Sequence, residues 1–199
     1  MKNKTDKTKI VLAATGASGV RLSLSFLEKI LKIDQISEVF FIHSKASEEV
    51  YKEENGESLK KTLNRFKNKK LKIYEDSFLS AEIASGSSLF SSMVILPTSM
   101  ATIGALASGA GNGLIHRAAD VCLKEERKLI IVPRETPFSL IHLRNMTLLK
   151  EAGATILPFI PQYYTKPKSI EDIENHFFQR ILDHMKIENS LSKRWGEKK

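Results

Sequence analysis

Arg134 and Glu135 stand side by side directly after the apolar run 129–132 and Pro133, and Thr136 and Pro137 follow them. An arginine at the mouth of a buried strand can hold a phosphate through two parallel hydrogen bonds. A glutamate beside it, in a partly dry cleft, can have a shifted pKa and handle protons. The plain alternative is a surface ion pair, which stabilises little. The two prolines stiffen the turn, which favours a positioned site. A second cationic set lies in "IHRAADVCLKEERK", where Arg117 and Lys124 are about two helical turns apart and share a face. A solvated face would explain them, but the apolar neighbours and the glycine-rich entry weigh against it. "TGASG" (15–19) follows an apolar run and opens a helical pattern. Gly16 and Gly19 permit a tight turn, and the helix start offers N–H groups to a phosphate or a flavin edge. The spacing is neither GxGxxG nor a Walker loop, and a plain turn with Ser18 as N-cap remains an equal alternative. "PTSMAT" places Thr98, Ser99 and Thr102 at another helix start, where N-capping is the simpler use. "ASGSS" (84–88) is either a flexible linker or a loop that points Ser85 into a site.

These residues fall at the ends of regular elements. Apolar runs predict strands at 9–15, 38–43, 71–75, 93–97, 129–133 and 154–158, with the fourth ended by Pro97. Helix-spaced patterns predict helices at 18–32, 44–54, 58–67, 99–108, 114–126, 139–152 and 170–185, with Gly153 ending the sixth. Residues 76–92 read mostly as loop. Alternation of near-continuous apolar strands with helices implies an α/β fold, a parallel sheet covered on both faces. Ligands of such sheets bind beyond the carboxyl ends of the strands.

The chain has 199 residues, 42% hydrophobic and 27% charged, with net charge +8. That is one domain, 1–199, with a flexible N-terminus at 1–8 and a tail at 186–199 available for subunit contacts. The basic runs "KKTLNRFKNKKLK" and "SKRWGEKK" read as solvated faces. No nucleic-acid module or interleaved aromatic pattern accompanies them, so no nucleic-acid partner is expected. Cys122 is the one cysteine and reads as packed, and the five histidines lack ligand spacing, so no metal is expected. "MKNKTDKTK" lacks the apolar core of a signal peptide. Residues 83–115 carry no charge, but Gly, Ser, Thr and Pro97 interrupt them, so no membrane span is expected. A cytoplasmic protein is the expectation.

"TGASG", "SKA", "SGSS", "LIHRAADVCLKE", "VPRETPFSLIHLRNM", "GATILPFIPQYYTKPKSIEDI" and "RWGE" occur in this order over nearly the whole chain. Together they resemble the UbiX-type flavin prenyltransferases. The resemblance implies a Rossmann-like (flavodoxin-like) three-layer fold. It implies alkylation of reduced FMN by dimethylallyl phosphate without a metal: N5 takes the allylic carbon, phosphate leaves, and C6 closes a fourth ring. The product, prenylated FMN, serves UbiD-type decarboxylases. Carried over by motif position, the flavin contacts are Gly16, Ala17, Ser18, Ser44, Ser99, Met100, Ala101, Thr102 and Arg134. The prenyl phosphate contacts are Ser85, Arg117, Lys124, Arg134, Tyr164 and Arg180. Ser18, Glu54 and Glu135 would lie near N5, with Ser18 and Glu135 handling protons, and Trp195 would close over the site. A homo-oligomer is implied, with a dodecamer as the candidate size. Three departures stand out: "VRLSLSF" where the family often has Tyr-Gly-x-Arg, Thr98 where it often has cysteine, and Gly113 where it often has Asn or Asp. A flavin-dependent cysteine decarboxylase relative and a non-catalytic FMN-binding protein are the alternatives; the first lacks a matching catalytic histidine, and the second would not need so many cations.

Overall fold

The computed structural model describes residues 7–196. Its elements run β1 (Thr8–Ala14), α1 (Val20–Ile30), β2 (Ile36–His43), α2 (Lys45–Asn55), α3 (Leu59–Leu63), β3 (Leu71–Glu75), β4 (Ser92–Thr98), α4 (Met100–Ser108), α5 (Leu114–Lys124), β5 (Lys128–Pro133), α6 (Leu140–Glu151), β6 (Thr155–Ile156) and α7 (Ile170–His184). All strand pairs are parallel, in a 6-stranded sheet of order β3-β2-β1-β4-β5-β6. That order belongs to doubly wound Rossmann-like sheets, and it reverses direction between β1 and β4.

Side chains alternate along each strand between two apolar layers. Leu12, Phe41, Val94 and Ile130 face a layer built with α1 and α7, where Phe26 and Phe178 meet at 5.1 Å. Val11, Phe40, Ile95 and Ile131 face the other layer, with Ile103 of α4, Ala118 of α5 and Leu149 of α6. Each fully buried Val, Leu, Ile or Phe among them contributes about 1.5–3 kcal/mol of transfer free energy. Near-continuous apolarity in the strands follows from this burial on both faces. Cys122 is packed in the second layer, and burial pushes its thiol up to about 12.

The structure corrects several of these expectations. β4 does not stop at Pro97 but runs through it to Thr98, which pairs with Pro133; proline at 97 forgoes only its own N–H. β6, at one sheet edge, is only the two residues Thr155–Ile156. α3 covers only Leu59–Leu63, since only Leu59 and Leu63 are buried to hold it. Ser18 does not cap α1; the cap is Gly19, at φ 92. Thr8 already belongs to β1, and residues 1–6 and 197–199, including Glu197 of the terminal motif, lie outside the described residues.

Candidate active site

The strand-end loops are bound to one another at the reversal of the sheet. Thr15 donates from its hydroxyl to the Pro97 carbonyl at 2.9 Å and accepts from the Ser99 N–H at 2.8 Å. The Ser44 N–H donates to the Ala14 carbonyl, and the Arg134 N–H to the Thr98 carbonyl. Gly16 sits where any Cβ would collide with Ala46 of α2, so glycine is needed for the close approach. Two helices therefore begin side by side. At α4, Ser99 caps by accepting from the Thr102 N–H, as the simpler expectation had it. The Met100 and Ala101 N–H groups remain without an acceptor among the described residues. At α1 the cap comes from elsewhere in the chain: both Glu54 oxygens lie 3.1 Å from the Gly19 N–H. Ser44 likewise caps α2 through the Ser47 N–H.

Ser18, Arg134 and Glu135 open onto one cleft of about 580 Å³, next to Pro97 and Pro133. Leu22, Phe138, Phe159, Ile160 and Ile170 give it an apolar wall. Arg134 and Glu135 do not form the surface ion pair. Glu135 instead accepts from the Thr136 N–H at 2.9 Å, and Arg134 has no acidic partner among the described residues. An unpaired guanidinium on an apolar-walled cleft where α1 begins is an anion-binding arrangement. A phosphate such as that of FMN suits these donors.

Two other groups of expected residues lie apart from that cleft. Ser85 and Arg117 line a separate depression. The loop around Ser85 is no free linker: Arg127 donates to the Gly86 carbonyl at 2.6 Å and a Cβ at Gly86 would collide with Glu125. This pins the loop against the end of α5, where Lys124 lies. Tyr164 and Arg180 form the third group. The Tyr164 hydroxyl lies 2.7 Å from Nε2 of His176, and Arg180 is 3.5 Å from Asp183. Trp195 does not line the cleft; its ring packs edge-on against Tyr164 at 4.9 Å.

A family model described as Flavoprotein matches residues 1–182. The flavin prenyltransferase UbiX of Methanocaldococcus jannaschii is 44% identical over 191 residues, covering 94% of this chain and 98% of the relative. The chain belongs to the UbiX-type flavin prenyltransferase family. Among solved structures, a dodecameric FMN-dependent UbiX-like decarboxylase from Escherichia coli O157:H7 superposes with TM-score 0.86 at 33% identity, covering 96% of this chain and 100% of that one. AnUbiX (PadA1) in complex with FMN and dimethylallyl pyrophosphate superposes with TM-score 0.85 at 34% identity, covering 97% and 100%. The peptidyl-cysteine decarboxylase EpiD, at TM-score 0.60 and 18% identity, shares the fold alone.

Where this UbiX-type chain departs from the family's usual residues, the structure shows what the substitutes do. The Thr98 hydroxyl turns away from the cleft and donates to the Ile95 carbonyl at 2.7 Å. Gly113 leaves room for Asp76, whose Oδ1 accepts from the Ile115 N–H at 2.7 Å and so caps α5 from the β3 loop. In "VRLSLSF", Arg21 pairs with the buried Glu174 of α7 on the cleft wall. Glu174 was missed, although it falls on the apolar stripe of α7 with Phe177, Phe178 and Ile181. A carboxylate there signals a partner across the fold. His176, also buried, left no comparable mark in the sequence pattern.

Proposed function

We propose that this protein joins the dimethylallyl group of dimethylallyl phosphate to N5 and C6 of reduced FMN, making prenylated FMN. The observation that carries this is the unpaired Arg134 with Glu135 on an apolar-walled cleft at the sheet's reversal. Reduced FMN supplies the nucleophilic ring. The free N–H groups of Met100 and Ala101, with Gly16, Ala17, Ser18 and Ser44 around the same strand ends, hold its phosphate and edge. Arg134 clamps phosphate between the two ligands. Ser18 and Glu135 handle the proton lost as the new ring closes, and Glu54 keeps Ser18 in place through its hold on Gly19. Phe138, Phe159, Ile160 and Leu22 keep water from the allylic cation.

Departure of the phosphate develops negative charge, which preorganised cations stabilise. Arg117, Lys124 and Ser85 are separated from Arg134 within one chain. We assign them to the cleft of a neighbouring copy in a homo-oligomer, with Tyr164 and Arg180 completing the phosphate site. The exposed apolar side chains Leu140, Ile141, Leu143 and Leu148 along α6 provide a face for such contacts. The tail beyond Met185, with exposed Trp195, belongs to the same assembly. A dodecamer is the proposed size. The product's recipient is a UbiD-type decarboxylase, and the enzyme is placed in the cytoplasm. No described helix is long and apolar enough to cross a membrane.

The test is anaerobic incubation with reduced FMN and dimethylallyl phosphate, read by mass spectrometry. A flavin heavier by one dimethylallyl unit, which reactivates a UbiD-type apo-decarboxylase, is expected. Unchanged FMN with both mono- and diphosphate donors would overturn the proposal.

A further inference from the structure

The Tyr164 hydroxyl rests on Nε2 of His176 at 2.7 Å, and the two rings meet edge to face at 90°. His176 is 4% exposed, so the contact is made out of water, whereas Tyr164 is 45% exposed. One turn along α7 from His176, on the same face, stands Arg180. Arg180 keeps capacity for another anion, because its neighbour Asp183 is already engaged by both terminal nitrogens of Arg194 at 2.8 Å. His176 thus joins two residues that the prenyltransferase reading assigns to phosphate, and it has no assignment of its own.

We propose that His176 is a positioning residue for phosphate recognition: it holds the Tyr164 hydroxyl beside Arg180 so that both meet the phosphate of the allylic substrate. This rests on Tyr164 and Arg180 being phosphate ligands. A phenol has one proton and rotates freely, and a neutral imidazole has one N–H. With that proton on Nε2, the ring donates to the Tyr164 oxygen and leaves the phenolic proton for a phosphate oxygen. With it on Nδ1, the phenol must donate inward and has no proton for the ligand. An arriving anion therefore selects the Nε2–H tautomer. Burial, followed by the charge of Arg180, lowers the His176 pKa and keeps the ring neutral at neutral pH, so the tautomer choice is available. Trp195, edge-on to Tyr164 at 4.9 Å, holds the phenol ring from a second direction.

The experiment is a double-mutant cycle in the full-length enzyme, held anaerobic with excess reduced FMN, with kcat and KM for dimethylallyl phosphate measured for Tyr164→Phe, His176→Phe and the pair. Losing a hydrogen bond to a charged ligand is expected to lower kcat/KM about ten- to hundredfold in Tyr164→Phe. His176→Phe should cause most of that loss, and none further in the Tyr164→Phe background. His176→Gln, whose amide can also bond a phenol, should recover activity, and FMN affinity should stay at the wild-type value in all variants. Additive losses, or a His176→Phe enzyme with wild-type kcat/KM, overturn the inference. If Tyr164→Phe is itself silent in an enzyme that still makes prenylated flavin, the inference falls and the prenyltransferase function stands. A wild-type protein that makes no prenylated flavin overturns both.

Discussion

Arg134 and Glu135 are sequence neighbours whose charges do not meet: Glu135 folds back onto the Thr136 N–H, and Arg134 reaches the cleft without an acidic partner. Their effects should therefore separate. Arg134→Ala is expected to weaken binding of phosphate-bearing ligands by about 1.5–3 kcal/mol, the range for a hydrogen bond to a charged group. Its melting temperature should barely move, since no ion pair is lost. Glu135→Gln should still bind FMN but turn over on the order of a hundredfold more slowly, accumulating flavin that carries the prenyl group without the closed ring. Titration and product masses decide; full turnover in Glu135→Gln would return the residue to a structural role.

Arg134 and Lys124 belong to different groups within the chain, so inactive variants of each should rescue one another in mixed oligomers. Arg134→Ala and Lys124→Ala, co-expressed, should regain activity in roughly a quarter of the sites if each site takes one residue from each of two subunits. Light scattering should show an oligomer throughout. Absence of rescue, or a fully active monomer, would count against the shared site.

Asp76 and Gly113 form a cap divided between two segments. Asp76→Ala should destabilise the protein by about 1 kcal/mol through loss of the α5 cap. Gly113→Asn alone should also destabilise, because its Cβ would collide with Asp76. The double variant should recover most of the loss, since Asn can then cap α5 locally. Chemical denaturation of the four proteins tests this; additive losses would show that the two positions are uncoupled.

His43, His176 and His184 all have pKa values held below the ordinary 6.5, chiefly by burial. The fold thus favours their neutral forms. Around His43 stand Glu75, Lys60, Glu48 and Asp76; around His176 and His184 stand Arg180 and Asp183, with Lys128 and Lys150 also near His184. Below about 6.5 the unfolded chain takes up more protons than the folded one, so stability is full above that pH and falls as pH drops through the folded values. Melting temperature should decline between pH 7 and the onset of carboxylate titration. His43→Gln with His176→Gln should flatten the decline, and an unchanged slope would assign it to other groups.

The sequence by itself determined the alternation of strands and helices and the parallel sheet, because residues such as Val11 and Leu12 are apolar on both sides only where a strand is covered on both faces. It also named the charged set around Arg134, since a charge right after a buried run has to emerge at the strand's end. It did not reveal how those residues divide. Ser18, Arg134 and Glu135 share a cleft, while Arg117 with Ser85, and Tyr164 with Arg180, stand elsewhere. That division depends on where α5 and α7 pack, which is decided by contacts between residues far apart in the chain. The same holds for Glu54 on Gly19, Asp76 on Ile115 and His176 on Tyr164. Each satisfies a polar group with a partner from a different segment, and such pairing has no period or local spacing to betray it. Only the folded chain, with its buried N–H groups and rings brought within hydrogen-bond distance, decides which polar side chains are structural and which are left free for a ligand.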